Sequence, residues 1–244
     1  LGRVEKAGLS VNHALLAGHG TLRSNAVGDV DRPLTAEEAR VVARALEEAL
    51  DQGAFGLSTG LEYVPGRFTP ADEIVALARL VARRGGLYAS HVRNEEARLL
   101  EAVAEAIEVG RQSGVRVEIA HLKAAGDSNW PKQGAALDLL ESARKDGVAV
   151  LADAYPYTAY STTLTTFMEG WAREGGTEAM LVRFRDPAAR ARIRREVEAQ
   201  VRVRVAPLAF AERREDVRRA EEALARAPHP LAHRQLAQRG HGVG

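Results

Sequence analysis

Two histidines carry the sharpest chemical signal in this chain. His91 in YASHVRNE and His121 in VEIAHLKAAG each close an apolar run that reads as a buried strand. They lie one strand-plus-helix unit apart, so a parallel sheet would make them neighbours at adjacent strand ends. Paired imidazoles suit a divalent metal such as Zn²⁺, which takes nitrogen and oxygen or sulfur ligands and keeps a position for water. The plainer reading is a hydrogen-bonded pair of core histidines.

Lys123 follows His121 by two residues, and in an extended chain both side chains share a face. A cation beside a metal needs an anion between or next to them, which points to a substrate carboxylate or a bridging carbamate. A solvated lysine at a loop start is the alternative. Tyr155 and Tyr157 in DAYPYTAY, and Tyr63 in GLEYVPG, are aromatics whose phenols can orient a carbonyl or carboxylate at a pocket mouth, or simply pack. His19, in GHGTLR, lines the same pocket or shapes its loop. His229, His233 and His241 have no ligand-like spacing.

These residues must be positioned by the elements before them. Five short apolar segments begin at Val11, Gly53, Gly86, Val115 and Gly147, about 30 to 40 residues apart, the length of one strand-plus-helix unit. Helical patterns fill the gaps at about 35–52, 70–84, 95–112 and 131–145. The first opens on a capping box, Thr35 with Glu38, and stops at Gly53. Thr69-Pro70 opens the second, with proline at its first helical position, and Gly85-Gly86 ends it. Gly114 and Gly147 close the other two.

Such alternation predicts an α/β protein with a parallel sheet, either a closed (β/α)8 TIM barrel or an open doubly wound sheet. No G-x-G-x-x-G fingerprint follows the first strand. Polar residues instead mark the C-terminal ends of several strands: His19, Ser58 and Thr59, His91, His121 with Lys123, and Asp153 with Tyr155. A barrel gathers those ends on one face, and the barrel is the expected fold. Five units are fewer than eight, so the barrel is incomplete. Residues 1–168 form the partial barrel, and 169–244 an Arg/Ala-rich helical and irregular segment. VRVRV from Val201 is its one strand-like piece, and the tail from about 201 is disordered or has lost its register.

Composition excludes several classes. Apolar residues make up 45% and charged residues 27%, and no apolar run approaches the length of a membrane span. A formal net charge of +1 calls for neither nucleic acid nor an anionic membrane. There is no cysteine, hence no thiolate or disulfide chemistry, which favours a reducing, cytoplasmic compartment. The chain opens on Leu1 without a signal pattern, as though its N-terminus were missing. An open barrel exposes sheet edges and apolar interior, so self-association is expected.

GHGTLR, GAFGLSTGLEYVPGRF, GGLYASHVRNE, VEIAHLKAAG with the following NW, and DAYPYTA together resemble the N-acyl-D-amino-acid deacylases (D-aminoacylases) of the amidohydrolase superfamily. The resemblance covers residues 11–166 and is specific in combination. It implies strands three to seven of a (β/α)8 barrel and zinc-dependent hydrolysis of N-acyl-D-amino acids to a carboxylate and a D-amino acid. It implies zinc ligation by His91 and His121, at the ends of the fifth and sixth strands. Lys123 and Tyr155 would hold the substrate carboxylate, and Tyr63 would line the pocket.

The departures from the pattern are equally definite. The family's H-x-H pair on the first strand, its cysteine ligand on the second and its aspartate base on the eighth have no counterparts here. Asp153 belongs to the seventh strand and does not fill the last role. The expectation is therefore an inactive fragment with a real half-site. Alternatives are a related amidohydrolase acting on cyclic amides or isoaspartyl dipeptides, and a non-catalytic α/β binding protein with structural histidines.

Overall fold

The computed structural model describes residues 2–157 and 162–204. A short helix α1 (Gly2–Ala7) precedes five strands: β1 (Leu16–Gly18), β2 (Gly56–Gly60), β3 (Leu87–His91), β4 (Arg116–Ile119) and β5 (Val150–Ala152). Between them run α2 (His19–Val27), α3 (Ala36–Asp51), α4 (Ala71–Arg83), α5 (Leu99–Ser113) and α6 (Lys132–Lys145), and α7 (Gly170–Arg173), α8 (Gly176–Arg185) and α9 (Pro187–Arg204) follow. All neighbouring strands are parallel and lie in the order β1-β2-β3-β4-β5. A doubly wound sheet reverses its order at a switch point. Strictly sequential order is that of a (β/α) barrel, here an arc of five units.

Strand register sorts the side chains into two faces. Leu57, Tyr88, Val117 and Val150 align across four strands and are at most 2% exposed. They meet apolar stripes of the covering helices, including Leu46 of α3, Ile74 and Val81 of α4, Val103 of α5 and Leu140 of α6. Burial of each such side chain contributes about 1.5–3 kcal/mol. Gly110 lets α5 approach the sheet, since a Cβ there would lie 2.6 Å from Val117 Cγ2. The opposite face carries Ser58, Ala89, Glu118 and Leu151 in register, and Leu151 is 58% exposed. His91, two residues beyond Ala89, ends that face at its C-terminal edge.

Local signals set the element ends. Thr35 and Glu38 form a reciprocal capping box at α3. Pro70 is the N-cap of α4, one position before its expected place inside the helix. Gly114, at φ 73°, closes α5 in the left-handed conformation. Two elements differ from expectation. Helix α5 begins at Leu99 rather than near Glu95, because Asn94 Oδ1 takes the backbone N–H groups of Glu96 and Arg98 and holds 94–98 as a loop. The VRVR stretch expected to be strand-like is the last turn of α9, where it continues an arginine-rich helical run. Helices after 169 attach to the rest through Arg67–Glu169 at 3.5 Å and Gly175 N–H to Asp29 O at 2.9 Å. Among the described residues no helix is long and apolar enough to cross a membrane.

Candidate metal and carboxylate site

Chain geometry after β4 builds the site. The strand stops at Ile119, and His121 turns into the left-handed region at φ 42°, unusual for a residue other than glycine. Asp153, just beyond β5, fixes this turn: its carboxylate accepts the His121 N–H, and its carbonyl accepts Leu122 N–H at 2.9 Å. The two-residue spacing of His121 and Lys123 thus works through a left-handed turn and not through the extended backbone expected from sequence.

The turn brings the His121 ring against His91, with Nε2 and Nδ1 2.5 Å apart and the rings edge to face. Glu95 reaches both residues from the loop after β3. Its Oε1 lies 2.9 Å from His121 Nδ1 and its Oε2 2.5 Å from Lys123 Nζ. Lys123 Nζ also stands 3.1 Å from His121 Nδ1, but one nitrogen cannot give its proton to Glu95 and accept one from Lys123. The carboxylate's charge decides for Glu95 on both. His121 Nε2 is then left with its lone pair facing His91. Burial, and next the adjacent His121, hold the His91 proton below the ordinary histidine range, with Lys123 adding to the effect and Glu95 and Asp153 opposing it.

Tyr155 completes the cluster, its ring 6.2 Å from that of His121 and its face 5.4 Å from Lys123 Nζ. Its buried hydroxyl has no hydrogen-bond partner among the described residues. Tyr63 stands apart, donating to or accepting from Thr162 Oγ1 at 3.1 Å. Thr59 is engaged inside the sheet with Tyr88 and Ser90. His19 begins α2, is 1% exposed, and both its ring nitrogens lack partners among the described residues. His229, His233 and His241 lie outside the described residues.

Two loops are tied together to hold this arrangement. Arg93 grips Glu105 with two nitrogens, at 2.9 and 2.8 Å, and reaches the carbonyls of Arg67 and Thr69. Ala125 N–H donates to Glu95 O at 2.7 Å, and Lys132 spans to Ala97 O and Asn129 Oδ1. Glu95 escaped the sequence reading because 95–112 was taken as one helix. Its place two residues after Arg93, in an Asn-led loop, was the signal available.

By residue type the cluster suits a metal half-site, although at 2.5 Å the two nitrogens must part for both to reach one ion with bonds of about 2.0–2.1 Å. Two imidazole nitrogens converge, and a carboxylate on the far nitrogen of His121 is the partner that fixes a ligating tautomer. Among the described residues, no group of three or more His, Asp or Glu side chains is placed to hold a metal ion.

The N-acyl-D-glutamate deacylase of Alcaligenes xylosoxydans xylosoxydans is 41% identical over 163 residues, covering 67% of this chain and 33% of that protein. The chain is a relative of the N-acyl-D-amino-acid deacylases. D-aminoacylase from the same organism is 39% identical over 157 residues, covering 64% of the chain and 32% of the relative. Among solved structures, the N-acyl-D-glutamate deacylase from Bordetella bronchiseptica, complexed with zinc and a phosphonate mimic of the tetrahedral intermediate, is 38% identical with a TM-score of 0.61, covering 64% of this chain and 33% of that one. A D-aminoacylase structure described as defining a novel subset of amidohydrolases has 36% identity and a TM-score of 0.59 over 62% of this chain and 32% of that one. No family model matches. The chain spans about a third of the length of these deacylases, and its five βα units are an arc of the amidohydrolase type of barrel.

Proposed function

We propose that this chain supplies one metal half-site and the carboxylate-holding cation of a zinc-dependent deacylase acting on N-acyl-D-amino acids. The observation that carries the reading is the single carboxylate of Glu95 bridging His121 and Lys123. His91 and His121 would hold the zinc. When bound, zinc polarises the amide carbonyl and lowers the pKa of its water towards about 7. Lys123 supplies a point charge for the substrate carboxylate, and Tyr155 a phenol beside it, so that binding energy becomes orientation. Glu95 aims Lys123 through an ion pair to its ammonium.

Two histidines alone would hold zinc weakly and no described residue is assigned the transfer of a proton to the leaving amine, so the chain by itself is proposed to be silent. The activity is tested by exchanging residues 11–166 for the matching segment of the N-acyl-D-glutamate deacylase. The chimera should release free D-amino acid, and Lys123→Ala should raise KM for N-acyl-D-amino acids. An active chimera with unchanged KM would point to ring amides. Release of D-methionine from N-acetyl-D-methionine by the 244-residue chain, lost in His91→Ala, would overturn the silence. Exposed Leu151 on β5 supports self-association of the chain, and a monodisperse monomer in sedimentation would contradict it.

A further inference from the structure

Glu95 works from a loop between β3 and α5, so its carboxylate reaches His121 and Lys123 only if that loop is held. A ring of hydrogen bonds encloses the Glu95 peptide. Ala125 N–H donates to Glu95 O at 2.7 Å, Ala125 O accepts from Asn129 Nδ2 at 2.8 Å, and Asn129 Oδ1 accepts from Lys132 Nζ at 2.8 Å. Lys132 closes the ring by donating to Ala97 O at 2.7 Å and to Glu96 O at 3.4 Å. These three acceptors engage all three protons of the ammonium. Lys132 is also the first residue of α6, whose first turn carries no acid. A cation there opposes the helix dipole, so the needs of α6 do not explain it.

We propose that Lys132 is a positioning residue for the half-site, acting through Glu95. By gripping the carbonyls of Glu96 and Ala97 it sets where the Glu95 carboxylate stands. The carboxylate in turn keeps the His121 proton on Nδ1 and leaves Nε2 as the nitrogen with a lone pair. Supporting contacts of this kind decide whether a site is held to the geometry its chemistry needs. The zinc arm of the test below rests on the deacylase reading, whereas the tautomer arm does not.

The test compares the native 244-residue chain with Lys132→Met, Lys132→Arg and Asn129→Ala, each also combined with Glu95→Gln. In the metal-free chain at about pH 8, where an ordinary histidine is neutral, nitrogen NMR locates the imidazole protons, and His121→Ala identifies the His121 signals. The native chain should carry its His121 proton on Nδ1. Lys132→Met should shift the population towards Nε2, and Lys132→Arg, which keeps the donors, should preserve Nδ1. Asn129→Ala opens the same ring without removing a charge and should move the proton in the same direction as Lys132→Met. Zinc affinity by calorimetry should fall about tenfold in Lys132→Met. It should fall no further when Glu95 is already Gln, because both changes remove one contact. A His121 proton that stays on Nδ1 in Lys132→Met would overturn the proposal and leave the deacylase reading standing. Equal zinc losses with and without Glu95→Gln would mean that Lys132 does not act through Glu95, and would overturn it too. A native chain that binds no zinc would count against the deacylase reading, and the tautomer then decides the proposal by itself. Loss of the native circular dichroism spectrum in both Lys132→Met and Asn129→Ala would make the ring a brace of the whole fold and likewise overturn the proposal.

Discussion

Glu95 and Lys123 are joined across two successive βα loops by a 2.5 Å contact, while the other oxygen of the same carboxylate holds His121 Nδ1 at 2.9 Å. One carboxylate thus stands between the lysine and the histidine pair.

The first consequence concerns metal affinity. Glu95→Gln keeps the shape of the side chain but neither anchors His121 as an acceptor of equal strength nor balances Lys123. Loss of a carboxylate behind a ligating histidine typically weakens metal binding about 10- to 100-fold. Zinc titration of the Glu95→Gln chain should show a loss of this size with an unchanged circular dichroism spectrum. Unaltered affinity would remove Glu95 from the account.

Asp153 holds His121 in a left-handed turn through a backbone hydrogen bond. Asp153→Ala should lower stability by about 1.5 kcal/mol in urea unfolding, the lower end for a hydrogen bond to a charged acceptor because Asp153 is exposed. It should also weaken zinc binding, since His121 loses its fixed backbone. A stability change without a change in zinc affinity would mean that the turn does not position the ring.

Arg23 is fully buried and pairs with Glu73 at 2.8 Å, and Glu73 also accepts Leu34 N–H at 2.6 Å. Glu73→Ala strands a buried guanidinium and an amide together. The expected loss is about 3–5 kcal/mol, enough to unfold a marginal domain, and chemical denaturation measures it.

His19 gives the fold a pH dependence. Burial first, then the charges of Arg23 and Arg93, lower its pKa from 6.5 to about 4. Between those values the unfolded chain binds a proton that the folded chain refuses. Stability from this residue is therefore complete above about pH 6.5 and is lost as pH falls through about 4, by about 3 kcal/mol. Denaturant midpoints from pH 7 to 4 should fall less steeply in His19→Phe than in the native chain. Parallel slopes would contradict the assignment.

The sequential sheet and its helices were legible because the apolar segments, the Thr35–Glu38 capping box and the glycine stops are local signals. His91, His121, Lys123 and Tyr155 were legible as strand-end polar residues, and the structure brings these four together. Glu95 was hidden because an acidic residue before an apolar periodic run looks like a helix start, and only the Asn94 hydrogen bonds keep it out of α5. Tyr63 carried no mark of its separate surroundings, since its partner Thr162 is remote in sequence.

Zinc binding by the histidine pair tests the central claim most directly. The 244-residue chain, stripped with chelator and titrated with Zn²⁺ by calorimetry, should bind one ion per chain, weakly for a site with two protein ligands. His91→Ala and His121→Ala should each weaken that binding by at least about tenfold. Zinc binding that is absent, or that survives both substitutions undiminished, would contradict the account.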